Sequence, residues 1–173
     1  RPNCAEMIFE TKQRSKTKPL ILMGATAEDL WPYVKGNSEE IAIWSSLVQQ
    51  HWPGALTLVL PASDRIPTAM NPLSPDTLGI RVPNSAIARH ILAQTGPLAT
   101  TSVNRSGEPA LTTLEAINET FPSIFTLTSD ELEALTLALP DSSQPAPSSG
   151  VPSTVVKWTG KTWEVRRQGS VRL

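Results

Sequence analysis

The stretch LATTSVNRSGEP, residues 98–109, decides how this chain is read. Its first half is rich in β-branched and apolar residues, and Asn104-Arg105-Ser106-Gly107 supplies the turn formers that end a strand. Ser102 and Asn104 are thereby expected at a strand's carboxyl end, where open α/β sheets receive ligands. The same spacing also suits a plain connection whose Ser and Asn only satisfy neighbouring backbone groups.

Upstream, TLGIRV (77–82) reads as a strand stopped by Pro83-Asn84. An amphipathic helix over 85–95, with Ile87, Ile91 and Leu92 on one side, then leads through Gly96-Pro97 into the opening strand. Earlier still, ALTLVL (55–60) and PLILM (19–23) are strands, and residues 26–33 and 38–51 are expected as helices parted by Lys35-Gly36-Asn37. The first helix starts at Asn3, with Glu6 completing a capping box, and ends near 12–15. The proline-rich run 61–75 is a loop.

Downstream, residues 112–120 read as a short helix, and 124–128 and 135–139 as weaker strands. DSSQPAPSSGVP (141–152) has the composition of a mobile loop. Residues 154–158 and 163–167 form a hairpin through Thr159-Gly160-Lys161. Strands and helices mixed throughout imply an α/β domain on one twisted sheet.

At 173 residues the chain fits one domain. With 39% hydrophobic and 18% charged residues it has the composition of a soluble globular protein, and no apolar run approaches the roughly 20 residues of a spanning helix. The single cysteine, Cys4, cannot make an internal disulfide, so the expected location is the cytoplasm, with no membrane partner. Arg1 stands where an initiator Met is expected, so further chain is expected to precede it.

The net charge of -1 hides an uneven distribution. Lys12, Arg14, Lys16 and Lys18 crowd one segment and Lys157, Lys161, Arg166, Arg167 and Arg172 another, whereas 106–156 holds no Lys or Arg. Should these segments meet, they would form a local anion site. Gly160-Lys161-Thr162 is not a P-loop, because Val155 stands where its first glycine belongs and the run lies between strands. His51, His90 and one cysteine give no metal-ligand spacing, and no G-x-S-x-G elbow supports a hydrolase.

Five blocks in order resemble the YrdC family, whose TsaC-type members are threonylcarbamoyl-AMP synthases. They are KQRSKTKPL (12–20), WPGALTLVL (52–60), TLGIRVP (77–83), TSVNRSGEP (101–109), and PSTVV (152–156) followed by RQG (167–169). The resemblance implies a single YrdC-like domain over 1–173 with a twisted mixed sheet, flanking helices and a concave basic cleft. It also implies that the family's N-terminal strands, which carry a threonine- and tyrosine-containing motif, are missing from this sequence. The family's Lys-x-Arg and Ser-x-Asn pairs correspond here to Lys12, Arg14, Ser102 and Asn104, all present. Relatives such as YciO depart from the Ser-x-Asn pair.

The reaction so implied carboxylates the amine of L-threonine with bicarbonate or CO2. The carbamate then attacks the α-phosphate of ATP, giving threonylcarbamoyl-AMP and pyrophosphate for modification of tRNA adenosine. By the same resemblance, Arg14, Lys18, Thr77, Ser102, Ala110 and Arg167 match positions near ATP, and Arg81, Thr100 and Ser153 match positions near the amino acid. Mg²⁺ is the implied companion of ATP, and a tRNA threonylcarbamoyl transferase the consumer of the product. A non-catalytic member binding tRNA or double-stranded RNA, or a different carbamoyl-transfer enzyme, is the alternative.

Overall fold

The computed structural model describes residues 3–15, 17–139 and 151–173. The elements run α1 (Asn3–Thr11), β1 (Ile21–Met23), α2 (Ser38–His51), β2 (Leu56–Pro61), β3 (Thr77–Arg81), α3 (Ala86–Thr95), β4 (Leu98–Thr100), α4 (Leu114–Thr120), α5 (Ser129–Ala138), β5 (Thr154–Trp158) and β6 (Trp163–Arg167), with short 3-10 turns at Trp31–Tyr33 and Thr68–Met70. The six strands form one sheet in the order β4-β1-β3-β2-β5-β6. Pairs β1/β3 and β2/β5 are parallel, and β1/β4, β2/β3 and β5/β6 antiparallel. The expected mixed α/β sheet is therefore present.

Strand alternation sorts the side chains onto two faces. The register Leu22↔Ile80↔Leu58↔Val156 puts these residues, with Leu56, Leu60 and Leu78, on one face. All are buried there against Ala5 and Phe9 of α1 and Trp44 and Val48 of α2. The alternate positions Ile21, Met23, Thr57, Thr77, Gly79, Arg81 and Val155 share the opposite face. At its centre, a Cβ on Gly79 would sit 3.4 Å from Ile21 Cγ1 and 3.7 Å from Thr57 Cγ2, so this glycine keeps the middle of the face bare.

Several expectations are corrected. Residues 26–33 hold turns and a 3-10 segment rather than an α-helix. There Thr26 and Asp29 bond each other's backbone N–H groups, a local alternative to helix. Residues 124–128 form no strand, and 135–139 belong largely to α5, whose Thr128–Glu131 capping box starts a helix across that apolar run. Ile91 is exposed, so Leu92 is the buried residue of α3. The opening strand stops at Thr100, and Ser102 and Asn104 follow it in an irregular turn. Most of the expected loop at 141–152, the Lys16 side chain and the Asn3 cap lie outside the described residues and side chains. No helix among the described residues is long and apolar enough to cross a membrane.

Candidate functional site

The Lys-x-Arg spacing is built by the way α1 ends. Gln13 has φ +49°, in the left-handed region. Its N–H donates to Glu10 O at 3.0 Å, and the Arg14 N–H donates to Phe9 O at 2.8 Å. This pair of bonds is a Schellman motif, with a glutamine where glycine is usual. It reverses the chain within one residue and sends Lys12 and Arg14 to different neighbours.

Lys12 is buried, with 7% of its surface exposed. Its Nζ donates to Thr101 Oγ1 at 3.2 Å, to the Ser102 carbonyl, and to Asn104 Oδ1 at 3.4 Å. An ammonium has three protons, and the 101–104 turn offers three acceptors. Asn104 holds that turn together. Its Oδ1 also accepts from Ser102 Oγ at 2.6 Å, and its Nδ2 donates to the carbonyls of Arg105 at 3.0 Å and Glu108 at 2.7 Å. The turn rests against the end of α4, where the Arg105 guanidinium lies 5.7 Å from the ring centroid of Phe121, the residue that follows the helix. Beside Lys12 a cavity of about 530 Å³ is walled by Met7, Ile8, Thr100, Val103 and Phe121.

Burial, then Arg14, then Lys18, lower the Lys12 pKa from 10.5 to about 8. Between about pH 8 and 10.5 the unfolded chain holds the Lys12 proton and the folded chain has released it. Lys12 therefore contributes an increase of stability with pH across that window, and below it destabilises the fold relative to a neutral side chain. Measured by urea unfolding, the stability difference between wild type and Lys12→Met should move in favour of wild type as the pH rises from 7 to 10; a pH-independent difference would contradict this.

Arg14 points away from Lys12. Its Nε donates to Lys18 O at 3.3 Å and its Nη2 to Pro19 O at 3.1 Å, and burial lowers its pKa. Lys12, Arg14 and Lys18 thus share one positive field.

A second cationic group lies where β3 and β6 end. Arg81 donates from Nε to Gly54 O at 2.8 Å. Arg167 donates from Nε and Nη2 to Ser153 O at 3.1 and 2.9 Å, and from Nη2 to Ser153 Oγ at 3.1 Å. The Arg81 pKa is lowered by burial first and by the Arg167 charge second. Neither guanidinium pairs with a carboxylate among the described residues. Two neighbouring, uncompensated cations are a standing invitation to an anion.

The other expected positions are distributed around these groups. Thr100 faces the same side as Ile21, whose carbonyl its Oγ1 bonds at 3.0 Å. Thr77 begins β3 and Arg81 ends it, so three residues lie between them, on the order of 13 Å of strand from one to the other. The Thr77 hydroxyl serves a local turn, donating to Ser74 O at 3.0 Å and accepting from Asn71 Nδ2 at 2.9 Å. Ala110 and Lys18 are exposed. Among the described residues no group of three or more His, Cys, Asp or Glu side chains is disposed to hold a metal ion. Sequence reasoning missed Thr101 and the buried Thr57, which meet Lys12 and Ser153 through long-range contacts.

A family model for the Sua5, YciO and YrdC domain, described as telomere recombination, matches residues 1–169. The chain belongs to this family. The threonylcarbamoyl-AMP synthase of Pyrococcus abyssi is 36% identical over 120 residues, which cover 69% of this chain and 34% of that protein. The enzyme of the same name from Vibrio campbellii is 33% identical over 121 residues, covering 68% of this chain and 63% of its own length. Among solved structures, P. abyssi Sua5 complexed with L-threonine aligns with a TM-score of 0.74 at 30% identity, over 96% of this chain and 44% of that one. The chain thus spans between about a third and just under two thirds of these curated relatives.

Proposed function

We propose that the protein carrying this chain is an L-threonylcarbamoyladenylate synthase. It takes L-threonine, bicarbonate or CO2, and ATP to threonylcarbamoyl-AMP and pyrophosphate, and its product feeds a transferase that modifies tRNA adenosine. The observation that carries this reading is the convergence of Lys12 on Ser102 and Asn104 across about 90 residues of sequence. It is supported by membership of the family, by relatives that bear the synthase name, and by a 30%-identical Sua5 that binds L-threonine.

The residues suit this chemistry. Attack on the α-phosphate concentrates negative charge on phosphate oxygens, and preorganised cations stabilise that charge best where water is excluded. Lys12, Arg14 and Lys18 supply the field, and the Lys12 ammonium is held in place before ATP arrives. Ser102 directs its proton to Asn104 and so presents its remaining lone pairs outward. Arg81 and Arg167 are suited to the threonine carboxylate and to the nucleotide, since a guanidinium grips either by parallel hydrogen bonds. Mg²⁺, where it accompanies ATP, would be held chiefly by the phosphates and would neutralise part of their charge.

The test is pyrophosphate release from ATP by the full-length protein, with L-threonine and bicarbonate each supplied or omitted. Release should require both. Release without threonine, or none from folded protein that binds ATP, would overturn the reading, and tRNA binding that falls steeply with salt would then favour the RNA-binding alternative.

A further inference from the structure

Thr57 is a polar side chain on a strand whose other members are nearly all apolar, and it is 1% exposed. It belongs to none of the motif pairs. Among the described residues its hydroxyl has a single partner, Ser153 Oγ, at 3.0 Å. Ser153 is itself 5% exposed and takes a second bond on the same oxygen, from Arg167 Nη2 at 3.1 Å.

The number of protons fixes one of these bonds and leaves the other two ways to run. A hydroxyl has one donor and two acceptor sites, and a guanidinium only donates. Arg167 therefore occupies one acceptor site of Ser153. In either direction one of the two hydroxyl protons is left without an acceptor. Left on Thr57, 1% exposed, that proton is beyond the reach of a ligand; with Thr57 donating, it stays on Ser153 beside Arg167, where a ligand can meet it, and both acceptor sites of Ser153 are then filled. The Ser153 proton is left over, and no further acceptor lies within hydrogen-bond distance of it among the described residues.

We infer that Thr57 is a positioning residue: by donating to Ser153 it converts the Ser153 hydroxyl into an obligate donor for an anionic oxygen brought in by the substrate. The inference rests on the function proposed above, under which that oxygen belongs to the carboxylate of L-threonine. Arg81 and Arg167 add the charge, and the Thr57–Ser153 pair adds a directed neutral donor beside them. The Thr57 methyl lies toward bare Gly79, so strand β2 contributes to recognition without sending a polar group to the surface.

Calorimetric titration of the full-length protein tests this with three ligands: L-threonine, L-threoninol, which has no carboxylate, and ATP. Thr57→Val should weaken L-threonine about tenfold, the usual scale for losing one hydrogen bond to a charged group. Affinity for L-threoninol and ATP should stay within twofold, and Thr57→Ser should restore L-threonine binding. In Ser153→Ala the further change Thr57→Val should have no effect, because the donor it directs is gone.

Unchanged L-threonine affinity in Thr57→Val, with wild type binding normally, would overturn this inference alone. A wild-type protein that does not bind L-threonine would overturn the proposed function and this inference with it. Equal weakening of all three ligands would show a structural role and overturn it too, as would losses in Thr57→Val and Thr57→Ala that track a lowered melting temperature.

Discussion

Asn104→Ala is expected to lower pyrophosphate release by about two to three orders of magnitude while leaving the chain folded. The reason is that every polar atom of this carboxamide is engaged. Its oxygen accepts from Ser102 Oγ at 2.6 Å and Lys12 Nζ at 3.4 Å, and its nitrogen donates to the carbonyls of Arg105 and Glu108. Alanine removes all four contacts together. The turn loses its register, the Ser102 proton loses its acceptor, and the Lys12 ammonium loses one of its three acceptors, the other two of which sit on the loosened turn. The fold survives because the turn lies beyond the end of β4 and outside the main core cluster. Asn104→Asp discriminates further. It keeps an acceptor for Ser102 and Lys12 but sets a carboxylate oxygen against the two carbonyls, and it should also fail. A variant with Ala or Asp at 104 that kept more than a tenth of wild-type release would show that Lys12 and Ser102 do not need this support. A melting temperature within a few degrees of wild type shows that the loss lies in the site.

Trp44→Ala is expected to cost about 3–5 kcal/mol of folding stability, a large part of the total for a domain of this size. The indole is fully buried. It meets Trp158 edge to face at 6.3 Å between centroids, and Trp158 meets Trp163 at 5.1 Å, so Trp44 ties α2 to the β5–β6 hairpin. The backbone has closed around it: a Cβ on Gly36 would lie 2.5 Å from Trp44 Cη2. Among the described residues its Nε1 has no hydrogen-bond partner, so the contribution read here is packing. Trp44→Phe, which retains most of the ring contact and removes the unpartnered N–H, should cost about 1–2 kcal/mol. Urea unfolding of both variants measures this. If phenylalanine cost as much as alanine, the indole nitrogen would have to hold a bond, contrary to this structure.

The elements that were legible in the sequence are those whose local chemistry and whose environment agree. The alternation of β2 and β3 reads directly as one buried face, because period-two apolar residues can satisfy only one side of a sheet. Helix α2 begins at Asn37 with Glu40 three residues on, and the hairpin turns at Gly160, whose φ of +90° a glycine adopts without strain. Misreadings arose where two local signals competed. In 135–139 the apolar run suggested a strand, but the capping box at Thr128 and Glu131 had already started a helix through it. In 26–33 the polar residues that favour turns outweighed the apolar ones that favoured a helix.

The candidate site divides in the same way. Lys12, Arg14, Ser102, Asn104, Arg81 and Arg167 are legible as members of motif blocks, since residue type and short spacing are local properties of the chain. Which side chains join those blocks is not marked locally. Thr57 lies inside the block WPGALTLVL, but only the parallel pairing of β2 with β5 brings it to Ser153, 96 positions away.

By itself, then, the sequence determined the mixed sheet, its buried face, most helix starts and the short motifs of the site. Only the tertiary structure decided that Lys12 is held by the 101–104 turn while Arg14 turns to Lys18 and Pro19, that Arg81 and Arg167 lie close enough to share one positive field, and that Thr57 meets Ser153. The physical reason is range. Strand alternation, caps and turns are set by atoms a few residues apart, whereas hydrogen-bond direction, desolvation and charge–charge coupling depend on what the folded chain brings within a few ångströms.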